Sequence, residues 1–227
     1  MALVLVLVIG IALHGAKPAA PRAAPGPTDN GEAVKAPLQI YTDSKTAFAR
    51  SSSVHLSGTV PSGASTLTID ISETRTGEGS GFIEINGITV NVKLIKGTTY
   101  MQGADFFAQL GAPSIGDQWV SMPATSAGAS EFGSLFTFLE QPDNLLTPPS
   151  GALTKGADAT VNNELALTLS DGTGTLYIAK TGPPYPLRIS SATGSSGVID
   201  LDEYGATVDL TPPTDLYVGS APGTTTL

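Results

Sequence analysis

Most of the chain alternates between apolar and polar residues, which is the pattern of strands that bury one face. In residues 66–72, leucine and isoleucine alternate with threonine, aspartate and serine. The same period of two recurs in residues 83–86, 88–94, 165–169, 176–178, 187–189, 199–201 and 208–210. Turn-forming pairs such as Asn86-Gly87 and Asp171-Gly172 separate these runs. The pattern predicts an antiparallel meander of about nine to eleven strands with one apolar face.

Two stretches have helical spacing instead. Residues 36–50 predict an opening helix in which Leu38, Tyr41 and Phe48 face inward. Residues 127–139 predict a middle helix, and a short helix follows around 143–146. The order of helix, strands, helices and strands is typical of an α+β fold with its helices on one side of the sheet.

The predicted sheet has more apolar surface than three short helices can cover. Either the sheet curls onto itself, or the helices leave an apolar cavity between leucine, isoleucine, valine and phenylalanine side chains. Such a cavity would suit an acyl chain, because each buried methylene contributes about 0.8 kcal/mol. An ordinary packed core is the alternative.

The N-terminus predicts export. Residues 2–13 are uniformly apolar, too short to span a membrane of about 30 Å but typical of a signal peptide. Leu13-His14-Gly15-Ala16 resembles a bacterial lipobox with alanine in place of the lipid-accepting cysteine. The Pro/Ala-rich residues that follow stay extended and form a spacer. An uncleaved anchor or an ordinary secreted protein is the alternative.

These features divide the chain into four parts. We expect a signal or anchor segment at 1–16, a linker at 17–35, a β-rich domain at 36–215 and a flexible tail at 216–227. The protein is therefore predicted to be exported to the outer face of the cytoplasmic membrane, with its N-terminus associated with that membrane.

Composition narrows the chemistry. The net charge of -9, with only 11 lysines and arginines, argues against nucleic acid and against adsorption to anionic lipid. The absence of cysteine excludes disulfides, thiolate zinc sites and cysteine nucleophiles, and two histidines leave little for metal sites or catalytic triads. Asp200 and Asp202 share a strand face, which we interpret as solvated, with a weak cation site as the alternative. We predict no enzyme, no cofactor and no metal.

Several stretches, taken in order, resemble the LppX/LprA/LprF/LprG family of mycobacterial and other actinobacterial lipoproteins. They are SVHLSGTV at 53–60, GTTYM at 97–101, GDQWV at 116–120, PLRI at 186–189 and YGATVDLTPP at 204–213. The resemblance spans about residues 36–213. Each stretch alone is common, so the match is specific only through the order in which the stretches follow one another. The missing lipobox cysteine is the main departure.

The resemblance implies a U-shaped antiparallel half-barrel with helices on its concave face and a large apolar cavity between them. It also implies binding of acylated lipids or lipoglycans for transport towards the outer envelope. We further expect the protein to be a monomer, with an envelope transporter as a candidate partner. The residues predicted from the pattern to line the cavity are Leu67, Ile69, Ile71, Val90, Val92, Phe132, Leu135, Phe136 and Leu139, with Phe106 and Phe107 at its mouth. An envelope adaptor with a packed core and no ligand is the alternative function.

Overall fold

The computed structural model describes residues 28–62, 65–191 and 197–219. The predicted export segment and residues 17–27 of the predicted linker lie outside the described residues, as do residues 220–227 of the predicted tail. Within the described ranges, no helix is both long enough and apolar enough to cross a membrane.

In the part of the chain that the structure describes, twelve antiparallel strands form one open sheet. They are β1 (Ser53–Ser62), β2 (Ser65–Thr74), β3 (Gly79–Ile85), β4 (Ile88–Ile95), β5 (Thr98–Gln102), β6 (Val120–Pro123), β7 (Thr154–Lys155), β8 (Ala159–Val161), β9 (Glu164–Ser170), β10 (Gly174–Ala179), β11 (Pro186–Ser191) and β12 (Val198–Asp202). Together with the few helices this confirms the predicted α+β half-barrel. The count exceeds the prediction because β7 and β8 have only two and three residues, too few to give a period-two pattern.

The sheet consists of two meanders joined at β1. Its order is β6-β5-β4-β3-β2-β1-β12-β11-β10-β9-β7, and β8 pairs with β9. Tight turns set the register of the first meander: Asn86 and Gly87, like Lys96 and Gly97, all have positive φ, as type I′ hairpin turns require. The second meander returns the chain so that Leu201 of β12 lies opposite Leu56 of β1.

The opening helix is α1 (Pro37–Arg50), with proline at its start, where the missing N–H costs nothing. Tyr41 and Phe48 are buried as predicted, but the inward orientation predicted for Leu38 is wrong, because its exposure is 64%. The buried stripe also contains Ile40 and Ser44. Because the polar Ser44 lies in the middle of this buried stripe, the spacing of apolar residues alone did not identify the buried face of the helix.

The middle of the chain forms shorter elements than predicted. Residues 127–139 form α3 (Ala129–Gly133) followed by a 3-10 helix (Ser134–Phe136), and the helix expected around 143–146 is a 3-10 helix at Pro142–Asn144. A further helix, α2 (Ala104–Gln109), was not predicted. Residues 129–139 are called the covering segment below, since they lie on the apolar face of the sheet.

The chain joins the folded body before α1. Asp29 forms a β-bridge with Thr181, and the side chain of Asn30 donates a hydrogen bond to the carbonyl oxygen of Ala179 (2.8 Å). A 3-10 helix follows at Glu32–Val34. The part of the predicted linker from residue 28 onward therefore packs beside β10.

Candidate functional site

The predicted lining residues all meet in one apolar cluster on the inner face of the sheet. Those that are buried are Ile69, Ile71, Val90, Val92, Phe107, Phe136 and Leu139, and those that are partly buried and pack against them are Leu67, Phe106, Phe132 and Leu135. The ring of Phe106 meets the rings of Phe107 and Phe132 edge to face, with centroids 5.3 and 5.9 Å apart. The cluster lies between β1–β6 on one side and the short helices on the other.

An apolar pocket opens beside this cluster, between α1, residues 145–153 and the strands β9 to β11. It has a volume of about 110 Å³. Its apolar walls are Tyr41, Leu145, Leu146, Leu153, Leu169, Leu176 and Ile189. A wider surface depression of about 360 Å³ adjoins it and shares Pro149 and Leu153 with it. We call the two together the crevice.

Polar residues also line the inner part of the crevice, namely Thr147, Asp171, Thr173 and Thr175. The Tyr41 hydroxyl donates a hydrogen bond to the carbonyl oxygen of Leu146 (2.8 Å), and burial raises the pKa of this tyrosine above its ordinary value. The rim carries Leu38, which accounts for the exposure of that side chain beside Pro37. A typical ligand pocket has a volume of about 300–1,000 Å³, so the inner part alone is smaller than such a site.

The sequence did not reveal the crevice. None of the predicted lining residues lies on the wall of its inner part, because that wall combines α1, a loop and the second meander. One signal was present in the sequence: the apolar pair Leu145-Leu146 stands just before Pro148-Pro149. The pair belongs to the short helix predicted around 143–146, but the 3-10 helix ends at Asn144, and the two leucines lie on the wall of the pocket.

The sequence also did not reveal a buried carboxyl group on the inner face. Glu73 of β2 has an exposure of 0% and follows Leu67, Ile69 and Ile71 in the same alternating phase. Its two carboxylate oxygens accept the backbone N–H groups of Leu139 (2.7 Å) and Phe138 (3.1 Å). Burial raises the pKa of Glu73 to about 7, while the two N–H donors act in the opposite direction.

The outer face of the sheet carries paired charges. His55 lies between two aspartates, with its Nδ1 2.7 Å from Asp202 Oδ1 and its Nε2 3.1 Å from Asp70 Oδ1. Asp200 accepts hydrogen bonds from the guanidinium group of Arg188. Asp200 and Asp202 therefore belong to ion pairs on this face, and the described part of the chain has no cluster of three or more metal-ligating side chains.

Neither a protein-family model nor a curated protein sequence matches the chain. Solved structures do match it. LprF from Mycobacterium bovis is 15% identical with a TM-score of 0.55, and the match covers 79% of this chain and 99% of LprF. The lipoprotein LppX from Mycobacterium tuberculosis is 15% identical with a TM-score of 0.53, and the match covers 77% of this chain and 97% of LppX. The resemblance found in the sequence motifs is thereby confirmed in three dimensions, and the chain has the fold of LprF and of the lipoprotein LppX.

Proposed function

We propose that the chain is an exported lipid-binding protein of the cell envelope. In this proposal it holds acylated lipids or lipoglycans in its apolar interior and carries or presents them towards the outer envelope. The fold that it shares with a lipoprotein supports this function. The net charge of -9 and the apolar inner face favour recognition of acyl chains over recognition of anionic headgroups.

One observation carries the proposal: the apolar face of a twelve-stranded sheet is covered by short, separate pieces. Apart from α1, the helices in the described residues have at most six residues. Helices of this length have little stability of their own and depend on side-chain contacts with the sheet. They can therefore move apart to admit an acyl chain while the strand ladder stays intact.

The crevice is the proposed entrance. Its apolar wall reaches from the exposed Leu38 to Ile189 on the inner face of the sheet. An acyl chain that enters here would leave water at about 0.8 kcal/mol per methylene and would approach the predicted lining residues from the side of β11.

The parts outside the domain are proposed to hold it near the membrane. The apolar segment 1–16 supplies export or anchoring. The part of the predicted linker 17–35 that precedes the packed residues lets the body at 36–215 reach its lipid source, such as an envelope transporter. We propose that the body acts as a monomer, without a metal, a cofactor or a catalytic step.

Native mass spectrometry of the full-length protein, purified without detergent, tests the function. We expect mass increments of one or more acylated lipids, which organic extraction should release and identify. A protein that emerges free of lipid and also fails to bind a fluorescent diacyl phospholipid would contradict the proposal.

A matched pair of variants tests the entrance. Leu153→Asp adds a second carboxylate to the crevice, without the hydrogen-bond donors that Asp171 has there, and should slow uptake of the fluorescent phospholipid about tenfold or more, because an unpaired ionised carboxylate opposes entry of apolar chains. Leu165→Asp makes the same change at an exposed leucine of β9 outside the crevice and should leave uptake unchanged. Equal uptake by the two variants would exclude the crevice as the entrance.

A second candidate is an adaptor protein of the envelope without a ligand. The dense packing of the predicted lining residues favours it, since Phe107 and Phe136 are almost fully buried. It predicts a lipid-free protein in the same mass spectra and a protein partner that is recovered by crosslinking in the envelope.

A further inference from the structure

The covering segment is attached to the sheet by a polar contact that spans 65 residues of sequence. Glu73 of β2 accepts the N–H groups of Phe138 and Leu139, where the segment leaves its 3-10 helix. The carboxyl side chain is fully buried, and among the described residues these two N–H groups are its only hydrogen-bond donors. A carboxylate on an otherwise apolar face is costly unless it is paired, so its position there requires a specific role.

A second contact stands beside the first. Gly79 of β3 lies directly opposite Glu73 in the β2–β3 ladder, and the ring of Phe136 lies against this glycine. A Cβ at position 79 would be 2.2 Å from Cδ1 of Phe136. The absence of a side chain there lets the ring approach the sheet, so the covering segment is fixed by a carboxyl group and an aromatic ring at neighbouring positions.

We propose that Glu73 is a latch that holds the covering segment on the apolar face of the sheet and that the segment opens the interior when it leaves this carboxyl group. The proposal rests on the lipid-binding function proposed above, because opening exposes the predicted lining residues Phe132, Leu135 and Phe136. The latch is a local equilibrium between a closed and an open segment within an intact sheet.

Because Glu73 is buried, the equilibrium between the closed and open segment depends on pH. The closed form raises the pKa of Glu73 from 4.5 to about 7 because the carboxyl group is out of water, whereas the open form hydrates it and returns the pKa towards 4.5. The closed form therefore binds the proton more tightly, and opening releases it. Opening should increase by up to about tenfold per pH unit between these two values and level off above pH 7.

Other charged groups near the latch have their own partners or are exposed. Arg75 donates to the carbonyl oxygen of Ser51, Glu78 accepts the N–H of Lys96, Lys45 pairs with Asp143, His55 faces Asp70 and Asp202, and Glu131 and Glu140 of the covering segment are exposed. Within the described residues none of them forms a hydrogen bond or an ion pair with Glu73. The pH response of the latch is thus assigned to this one carboxyl group.

Amide hydrogen exchange of the full-length protein, followed by NMR from pH 5 to pH 8, tests the latch. After correction for the intrinsic exchange rate, protection of the Phe138 and Leu139 amides in the wild type should fall steeply up to about pH 7 and then level off. Amides of β1 should stay more protected throughout, because the opening is local. Wild-type protection that stays constant from pH 5 to pH 7 would overturn the latch, without need of any variant.

Two variants locate the response. Glu73→Gln removes the ionisation while keeping the shape of the side chain, so protection of the two amides should no longer depend on pH. Glu140→Gln makes the same change at an exposed position one residue after Leu139, and it should keep the wild-type slope. A Glu73→Gln protein with the wild-type slope would assign the response to another group and overturn the proposal.

Measurements of lipid uptake distinguish a failure of the latch from a failure of the lipid-binding function on which it rests. The rate at which the protein extracts a fluorescent diacyl phosphatidylcholine from vesicles of the same lipid should follow the exchange profile in the wild type and lose its pH dependence in Glu73→Gln. Uptake that is absent at every pH in both proteins would contradict lipid binding, and the exchange profile would still decide the latch. Uptake that is present but independent of pH, while exchange varies, would overturn the control of lipid entry by Glu73.

Discussion

The contact between Gly79 and Phe136 leaves no space for a side chain on the glycine. A Cβ added there would lie 2.2 Å from Phe136 Cδ1 and 2.5 Å from the carbonyl oxygen of Ser72, and the latter belongs to the backbone and cannot move aside. Gly79→Ala should therefore lower the free energy of unfolding by roughly 2–3 kcal/mol, as overpacking does elsewhere. Urea denaturation measures this change.

Gly133 provides the matched control. It lies in α3 with a helical φ of -60°, and the nearest atom to an added Cβ is Leu94 Cδ2 at 3.8 Å. Gly133→Ala should leave stability unchanged or increase it by up to about 1 kcal/mol, because alanine favours the helix. If both alanine variants were equally destabilised, the close approach of Phe136 to Gly79 would not be the cause.

His55, on the outer face of the sheet, makes the stability of the protein depend on pH. Hydrogen-bond partners raise its pKa, whereas burial raises the pKa of Glu73. Burial lowers the pKa of His55, but the hydrogen bonds to Asp202 and Asp70 outweigh it, so the net pKa lies above the ordinary 6.5. Because the folded-state pKa is raised, the stabilisation is complete below pH 6.5 and is lost as the pH rises through the folded-state value.

The comparison of His55→Gln with the wild type measures this stabilisation. The free energy of unfolding should fall by at most about 1 kcal/mol, since the ion pairs are partly exposed. The difference should be largest below pH 6.5 and should shrink at higher pH. A loss that grows with pH would assign His55 a neutral, structural role instead.

At the scale of elements, α1 carries a buried hydroxyl group, that of Ser44. Ser44 has an exposure of 0%, and within the described residues its Oγ forms no hydrogen bond. Ser44→Ala should raise the free energy of unfolding by about 1 kcal/mol, since it removes an unsatisfied polar group and improves helix propensity. Thermal and urea unfolding measure the gain.

Ser130→Ala is the control, since it makes the same change at an exposed position of α3, and it should change the free energy of unfolding by less than about 0.5 kcal/mol. If Ser44→Ala instead lowered the free energy of unfolding, the Ser44 hydroxyl would have a hydrogen-bond partner.

The long strands and their turns could be predicted from the sequence because each depends on neighbours. Leu67, Ile69 and Ile71 show the buried face of β2 by themselves, and Asn86-Gly87 shows the turn after β3. The predicted lining residues of β2 and β4 also meet, because residues of one alternating phase must share one face.

The covering segment could not be predicted in this way. Its apolar residues have helical spacing, yet the N–H groups of Phe138 and Leu139 bond to Glu73 instead of extending the helix. That partner is 65 residues away and is visible only after the sheet is assembled. The crevice was missed for the same reason, because its walls come from three distant parts of the chain.

At the scale of the whole molecule, an extended segment, residues 206–217, follows the second meander and runs across the first. We call this segment the strap. Ser53 Oγ donates to the carbonyl oxygen of Ala206 (2.6 Å) at the start of the strap. At the end of the strap, the backbone N–H of Trp119 donates to the carbonyl oxygen of Asp215 (2.9 Å), and the backbone N–H of Tyr217 donates to the carbonyl oxygen of Trp119 (2.8 Å). The strap thereby runs from β1 to the start of the edge strand β6, and it covers part of an edge that could otherwise pair with another chain.

Lys93 of β4 holds the middle of the strap. Its Nζ lies 2.7 Å from Asp209 Oδ2 and donates to the carbonyl oxygen of Thr211 (3.1 Å). The contact joins residues 116 positions apart, so it links the first meander directly to the end of the domain. The pKa of Asp209 is lowered by this hydrogen bond with Lys93, so the stabilisation is present at neutral pH and is lost only as the pH falls through the lowered value.

Lys93→Ala should release the strap without unfolding the sheet. Cleavage by chymotrypsin at Leu210 and Tyr217 should become about two- to fivefold faster, the range expected for a partly exposed ion pair worth up to about 1 kcal/mol. Lys96→Ala removes an exposed lysine from the next turn and should leave the rate unchanged. High salt should accelerate cleavage of the wild type towards the Lys93→Ala rate, because it screens the pair. Equal cleavage of the wild type and Lys93→Ala at low salt would mean that the contacts with Ser53 and Trp119 hold the strap without help from Lys93.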